Sequence, residues 1–352
     1  METLTVDMMA EARNAQWSAD TFLGPGALKV IAPAKVNLFL AVGRHREDGY
    51  HDVVNVMHAL ALHDVLYFHR NAQSWCAPEK LPSHMAAVGP ANNLLVNITT
   101  ADKTQAAIRA LDVPALENLV TRALAELAHA IDYKTSESIS IHIEKNIPHQ
   151  AGLGGGSSDA AAALVAAANM WGLPSDAPVL YEVASSLGAD VAFFLQGGCA
   201  LLSGAGECLK SRLQPAKTPI VLAKPHAGVS TAQAYARFDE DAQFVPSDLL
   251  AQVESAKLAS EVPLYNNLSS AAEFLVPELV SVREKLEEYL AGDISAAAPS
   301  AVCNQVLLCG SGSCTFAITD SFSQASRIAA EARTNGWWAR ATTLSSLKAA
   351  IL

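Results

Sequence analysis

At 352 residues, 51% of them apolar and with a formal net charge of −11, the chain has room for two domains and enough apolar side chains to bury real cores. The acidic balance argues against nucleic acid as a partner, since phosphate backbones are bound by clustered Lys and Arg, but it leaves open a small anion held by backbone amides and one or two lysines. No apolar run approaches the roughly 20 residues that span a bilayer, the N-terminal Glu2, Asp7 and Glu11 do not suit a signal peptide, and the cysteines include no C-x-x-C pair, so the expectation is a cytoplasmic, globular protein with buried thiols and no membrane partner.

Residues 1–26 show weak periodicity and end in Gly24-Pro25-Gly26, which predicts a loosely attached extension. From Leu28 the pattern tightens. Leu28 to Ala32 reads as one strand and Val36 to Val42 as another, and Val53 to Phe68 is strand-like behind the turn signal Asp48-Gly49. Residues 70–116 carry Pro78, Pro82, Pro90 and Pro114 and read as an irregular insertion with one short helix around 101–111. Asn118 to Ile131 places Leu119, Ala123, Leu127 and Ala130 at helical spacing, and Ser138 to Ile143 alternates as a strand does.

That strand leads into Ile147-Pro148-His149-Gln150-Ala151-Gly152-Leu153-Gly154-Gly155-Gly156-Ser157-Ser158-Asp159, followed by the alanine-rich run Ala160 to Ala168. The clustered glycines leave backbone N–H groups uncovered, Ser157, Ser158 and Asp159 are helix-start residues, and the Ala/Leu run has high helix propensity. The segment reads as a phosphate loop feeding a helix whose positive end faces the bound anion. A tight turn alone needs only one or two glycines. No Gly-Lys-Ser/Thr ending follows, so the loop is not a Walker A loop, and Ser157 stands where a dinucleotide fingerprint requires its third Gly.

Beyond the loop the pattern predicts a helix ending near Leu187, then Gly188-Ala189-Asp190-Val191 and a Gly197-Gly198 break before another strand. The proline-bearing stretch Pro215 to Pro219 suggests a domain boundary, dividing the chain into 27–214 and 215–352. The second half reads as a strand at Ile220 to Ala223, helices near 247–256 and 269–290, a strand-like Val302 to Leu308, a second glycine turn Gly310-Ser311-Gly312-Ser313, and a closing strand, helix and strand.

Three separated blocks point one way: Ala32-Pro33-Ala34-Lys35-Val36-Asn37-Leu38, the loop from Pro148 to Ser158, and Gly310-Ser311-Gly312-Ser313-Cys314. Together they resemble the GHMP kinase superfamily over roughly residues 28–350. The further blocks Asp48-Gly49-Tyr50-His51 and Gly188-Ala189-Asp190-Val191 resemble its branch that phosphorylates a hydroxyl on the methylerythritol part of a CDP-linked substrate, in non-mevalonate isoprenoid synthesis. The resemblance implies an α+β, two-domain GHMP kinase: an N-terminal ribosomal protein S5 domain 2-like domain that binds ATP, and a C-terminal ferredoxin-like domain that completes the substrate cleft. It implies Lys35 and Asp190 as the catalytic pair, and Pro148, His149, Gln150, Ala151, Gly152, Leu153, Gly154, Gly155, Gly156, Ser157 and Ser158 as the ATP loop. Lys145 and Asn118 fall where nucleotide contacts are expected, although Asn93-Leu94 is a second candidate for the Asn-Leu motif. On the substrate side it implies Asn37, Tyr50 and His51, with Tyr50 or Tyr235 to stack on cytosine and Gly310, Ser311 and Gly312 nearby. A monomer or homodimer is expected.

Because no Walker lysine follows the loop, another cation is needed at the phosphates: Mg²⁺, through Ser158 or a carboxylate, together with Lys35. Taken singly, a Lys after Pro-Ala reads as a solvated strand-edge charge and an Asp after Gly-Ala as a helix cap; their co-occurrence with the loop favours the catalytic reading. His45, His51, His58, His63 and His69 are spaced by five to seven residues, which suits neither a helical i, i+4 pair nor a zinc pattern. The alternatives are another GHMP kinase, of homoserine or mevalonate type, or a catalytically silent nucleotide sensor. The Tyr50-His51 pair, suited to a flat base, argues against the first, and the presence of both Lys35 and Asp190 against the second.

Overall fold

Two long antiparallel strands, β1 (Leu28–His45) and β2 (His51–Asn71), form the spine of the larger sheet. The computed structural model describes residues 27–47, 49–71, 81–104, 113–292 and 305–352; the extension 1–26, Asp48, Cys76 and Cys303 lie outside them. Where two strands were expected at 28–32 and 36–42, one continuous strand runs through both. Its register against β2 shifts between Pro33 and Lys35, where Pro33 has no N–H to give the ladder. The backbone N–H of Lys35 donates instead to the carbonyl of Leu153 at 3.0 Å.

The described residues of 70–116 are not irregular. They contribute β3 (Met85–Val88) and β4 (Leu94–Asp102), and β4 runs parallel to β5 (Glu137–Lys145). Pro82, Pro90 and Pro114 flank these strands, and among the described residues a three-residue 3-10 turn, Ala115–Glu117, lies between β4 and the helix that begins at Leu119. Of the helix expected at 101–111, Ala101 and Asp102 instead close β4, and 105–111 lie outside the described residues.

Helix α1 (Leu119–Ala130) is capped by Asn118, whose Oδ1 accepts from the Val120 N–H at 3.0 Å. The phosphate-loop helix α2 (Gly155–Met170) starts ahead of the predicted Ser-Ser-Asp cap. Its N-cap is Gly154, in the left-handed region at φ +73°, and no side chain caps it. The first-turn amides are therefore left for another acceptor. Ala160 to Ala163 are fully buried, so small side chains bring α2 close against β1 and β2 while α1, α3 (Pro178–Leu187) and α4 (Ala189–Gln196) pack around it.

The strands β6 (Cys199–Ser203) and β7 (Cys208–Leu213) extend the sheet from the N-terminal half of β2. Cys199, Cys309 and Cys314 are buried as expected, but Cys208 sits on the outer strand β7 and is exposed. The second sheet is antiparallel, ordered β10–β11–β8–β12, from β8 (Pro219–Lys224), β10 (Val306–Leu308), β11 (Thr315–Ile318) and β12 (Trp338–Thr343). Of the strand expected at 302–308, residues 302–304 lie outside the described residues.

Between β8 and β10 in the chain come α5 (Thr231–Glu240), which the sequence reading missed, α6 (Ser247–Ser255), α7 (Ser269–Leu275) and α8 (Glu278–Ala291). The single helix expected at 269–290 is two, because Pro277 lacks an N–H and forces Val276 out of helical geometry. α8 and α9 (Phe322–Thr334) cover one face of the second sheet. Its other face, with Ile220, Leu222, Phe316 and Trp338, shares a core with Ala34, Val36 and Leu38 of β1. Two late segments join the first sheet: β9 (Tyr265–Asn266) pairs in parallel with Phe39 and Leu40, and β13 (Ala350–Ile351) pairs antiparallel with Val30 and Ile31. Among the described residues no helix is long and apolar enough to cross a membrane.

His58 of β2 ties the two halves together. Its Nδ1–H donates to the Ala59 carbonyl at 2.8 Å and its Nε2 accepts from the Ala216 N–H at 2.9 Å. This neutral, buried ring has its pKa lowered from 6.5 by desolvation, against the opposing pull of the Ala59 carbonyl. The unfolded chain therefore binds a proton first as pH falls, so the contribution of His58 to stability is present above the unfolded pKa and is lost as pH drops through the folded one. Urea unfolding at pH 7 and pH 5 should show a smaller loss of stability for His58→Gln than for the parent; equal losses would remove His58 as a source of acid sensitivity.

Candidate active site

The register shift in β1 delivers Lys35 into the space where the two glycine turns meet. Lys35 is 5% exposed. Its Nζ donates to Asn37 Oδ1 at 2.8 Å and lies 3.7 Å from Asp190 Oδ2, and Asn37 in turn donates to Asn55 Oδ1 at 2.8 Å. Asp190 stands in the first turn of α4, but its side chain does not cap the helix. Its carboxylate pairs with Lys35 instead.

The phosphate loop and the second glycine turn are joined backbone to backbone. The N–H of Ser313 donates to the Gln150 carbonyl and that of Cys314 to the Ala151 carbonyl, each at 3.1 Å. The approach is close enough that a Cβ on Gly152 would lie 2.0 Å from the carbonyl oxygen of Cys309. A Cβ on Gly154 would meet the Phe194 ring at 2.8 Å and Lys35 Cγ at 3.2 Å, and one on Gly310 would sit 3.3 Å from Asn37 Oδ1 and 3.6 Å from Lys35 Nζ. Asn266 holds the second turn in place, donating to the carbonyls of Leu308 and Gly310 at 2.9 and 2.8 Å. Ser311 and Thr231 share a hydrogen bond of 2.8 Å between their hydroxyls at the exposed rim.

Beside the loop opens a cavity of about 410 Å³, walled by Pro148 to Gly156, Lys145, Asn118, Asp159 and, from β4 and the turn after it, Thr100, Asp102 and Thr104. Lys145 is held between Asp64 and Asp159, the latter at 2.5 Å. Burial works against its ammonium, but the two carboxylates outweigh burial and raise its pKa. Asn93, the other Asn-Leu candidate, is engaged elsewhere, its amide donating to the carbonyls of Tyr133 and Thr135 at 3.0 Å. Ser158 is fully buried, and its hydroxyl has no partner among the described residues. His149 lines the cavity with its pKa lowered, by burial first and then by the charge of Lys224.

On the other side of Asp190 the structure gathers His51, Tyr235 and His45. The His51 ring is buried, donates through Nε2–H to Asp239 Oδ1 at 2.7 Å, and stands 5.1 Å from the Tyr235 ring. The pKa of Tyr235 is raised by burial and by the nearby Asp190 charge. Tyr50 is 63% exposed. The sequence reading missed Asp239, Asn266, Asp64 and the β4 wall; a strand assignment for 94–102 would have brought the β4 wall to notice, whereas the partners of the other three lie far along the chain.

The family described as GHMP kinases N terminal domain matches residues 118–198, the span that holds α1, the phosphate loop and Asp190. The 4-diphosphocytidyl-2-C-methyl-D-erythritol kinase of Desulfitobacterium hafniense is 35% identical over 308 residues, covering 86% of this chain and 91% of that protein. The protein of the same name from Pelotomaculum thermopropionicum is 36% identical over 310 residues, covering 87% and 94%. A crystal structure of 4-(cytidine 5'-diphospho)-2C-methyl-D-erythritol kinase superposes with a TM-score of 0.62 at 31% identity, covering 90% of this chain and 99% of that one. A homoserine kinase from Cytophaga hutchinsonii reaches 0.63 at 17% identity and shares the fold. The chain belongs to the 4-diphosphocytidyl-2-C-methyl-D-erythritol kinase family of GHMP kinases.

Gly152→Ala tests the contact between the turns. At φ +73° a side chain costs about 1–2 kcal/mol from backbone strain alone, and the new Cβ must also displace the Cys309 carbonyl. Urea unfolding should register a loss of at least that size, and turnover assays a raised KM for ATP; a variant with parental stability and KM would show that the two turns need not touch.

Proposed function

We propose that the protein transfers the γ-phosphoryl group of ATP to the 2-hydroxyl of 4-diphosphocytidyl-2-C-methyl-D-erythritol, as a step of non-mevalonate isoprenoid precursor synthesis in the cytoplasm, working as a monomer or homodimer. The observation that carries this reading is the Lys35–Asp190 pair lying where the uncapped phosphate loop and the second glycine turn meet. Residues 27–214 would supply the nucleotide site and the catalytic pair, and 215–352 the far wall of the acceptor cleft.

Phosphoryl transfer passes through a loose transition state, so catalysis consists largely of positioning and of neutralising charge. The amides of Gly155 and Gly156 and the α2 dipole suit the phosphates, and the cavity beside Asn118 and β4 suits the nucleoside. Mg²⁺ arriving with ATP would neutralise charge between the β- and γ-phosphates. The unpartnered Ser158 hydroxyl and the Asp159 carboxylate fit a cation that keeps most of its ligands as phosphate and water oxygens. Among the described residues no three His, Cys, Asp or Glu gather into a protein-only metal site.

Asp190 would accept the proton of the acceptor hydroxyl. A carboxylate is a far weaker base than an alkoxide, whose parent alcohol has a pKa close to the roughly 15.7 of water. Deprotonation before attack is therefore out of reach, and the proton leaves late, as the bond to phosphorus forms. Lys35, fixed by Asn37, orients Asp190 and lowers the charge cost at the hydroxyl. Asp190→Asn should reduce kcat about 10²–10⁴-fold while the affinity for ATP measured by calorimetry stays near the parental value; near-normal turnover would remove Asp190 from the proton path.

The largely exposed Tyr50 would offer its face to the cytosine ring, whereas the His51 and Tyr235 rings pack on each other. Stacking on a base contributes about 1–3 kcal/mol, so Tyr50→Ala should raise the KM for the acceptor about tenfold with little change for ATP. The reaction itself is tested by ADP release with Mg²⁺-ATP and a panel of acceptors. Release is expected with the CDP-linked alcohol and not with homoserine, mevalonate or no acceptor; silence with every acceptor, despite ATP binding, would favour a nucleotide sensor.

A further inference from the structure

Asp64 is fully buried on β2, where it pairs with Ala32 of β1, and it belongs neither to the Lys35–Asp190 pair nor to the cavity wall described above. Its carboxylate has an unusual set of partners. Oδ1 accepts from two consecutive backbone N–H groups, those of Asn146 at 2.5 Å and Ile147 at 2.8 Å, and Oδ2 accepts from Lys145 Nζ. The neighbouring His63 carbonyl accepts from the Asn146 side-chain amide at 3.0 Å. One short stretch of β2 therefore clasps Lys145, Asn146 and Ile147, the last residue of β5 and the two that lead into the phosphate loop.

The clasp reaches the loop's glycines through two routes. The Ile147 side chain lies directly beneath Gly155, whose Cβ, were there one, would stand 3.1 Å from Ile147 Cγ2. Lys145 Nζ lies 3.4 Å from the same point. Gly155 opens α2 and carries one of the amides left without a capping side chain. A carboxylate is suited to this task. It accepts several N–H donors at once, and it draws the Lys145 ammonium to one place instead of leaving a flexible four-carbon stem to wander.

We infer that Asp64 is the positioning residue of the nucleotide site: it sets the phosphate loop and the Lys145 ammonium in register for the polyphosphate of a nucleoside triphosphate. The inference rests on the reading of the adjoining cavity as the ATP site. Asp64→Asn keeps the shape and one acceptor oxygen, but turns an N–H₂ group towards the Lys145 ammonium and leaves Asp159 as its one remaining carboxylate partner among the described residues. The recognition that suffers is that of the phosphates, not of the nucleoside.

Calorimetric titration of the full chain with a non-hydrolysable ATP analogue and with adenosine, for the parent and Asp64→Asn, separates these contributions. The analogue should bind the variant about tenfold or more weakly, the size of a lost hydrogen bond to a charged group, with adenosine changed less than about threefold on the same scale. An equal loss for both ligands, or no loss for either, overturns the inference. A parent protein that binds neither ligand sinks the ATP reading of the cavity and this inference with it, whereas a parent that binds both and a variant that matches it sinks the inference alone. A second measurement does not depend on the variant folding. In the parent, the amides of Asn146 and Ile147 should exchange with solvent as slowly as those of β5, and exchange at free-loop rates would contradict the clasp.

Discussion

The site depends on the approach of two backbones that only glycine permits. Gly152 lies against the carbonyl of Cys309 at a distance no Cβ could tolerate, and Gly310 lies close over Asn37 and Lys35. The N–H groups of Ser313 and Cys314 make use of that approach by donating to Gln150 and Ala151. The phosphate loop is thus held on one side by its own strand and on the other by a turn about 160 residues further along the chain. Gln150 takes a positive φ of 50° to present its carbonyl there, a local cost that the pairing with Ser313 offsets. A loop held from both sides presents its amides without reorganising when charge develops, which is the condition under which such donors are most effective.

The electrostatics of the site are local and owe little to the net charge of −11. Lys35 is matched to Asp190 and the amide of Asn37, Lys145 to Asp64 and Asp159, and no side-chain hydrogen bond caps the positive end of α2 among the described residues. Cations that are buried and paired in this way are placed in advance, and the anion that completes the arrangement arrives with the substrate. The same reasoning explains why an acidic protein can bind a polyphosphate.

The parts of the fold legible in the sequence were those where a local rule and the tertiary structure agree. The strand–loop–helix around Pro148 to Ala168 was readable because its glycines and alanines have one physical use each, and Lys35 and Asp190 because they stood beside motifs that need a charge. What was missed obeys a different logic. β4 hides behind prolines that flank strands as readily as they break them. α5 has a polar composition and only Ala234 and Phe238 fully buried, so its hydrophobic period is faint. Pro277 divides a helix whose apolar spacing reads straight through it. Asp64 and Asp239 are single carboxylates whose partners lie 81 to 83 and 188 residues away, and nothing local announces such pairings. The bond to Asp239 fixes the buried ring of His51, which the resemblance sets on the substrate side.

The central claim is that the phosphate loop, the second glycine turn and the Lys35–Asp190 pair form one reaction centre. A crystal structure of the protein with a non-hydrolysable ATP analogue and the CDP-linked methylerythritol alcohol tests it most directly. The account predicts the γ-phosphate at the first turn of α2 and the acceptor hydroxyl against Asp190, in line for attack, with cytosine on Tyr50. An acceptor bound away from Asp190, or a triphosphate lying outside the loop from Pro148 to Ser158, would contradict it.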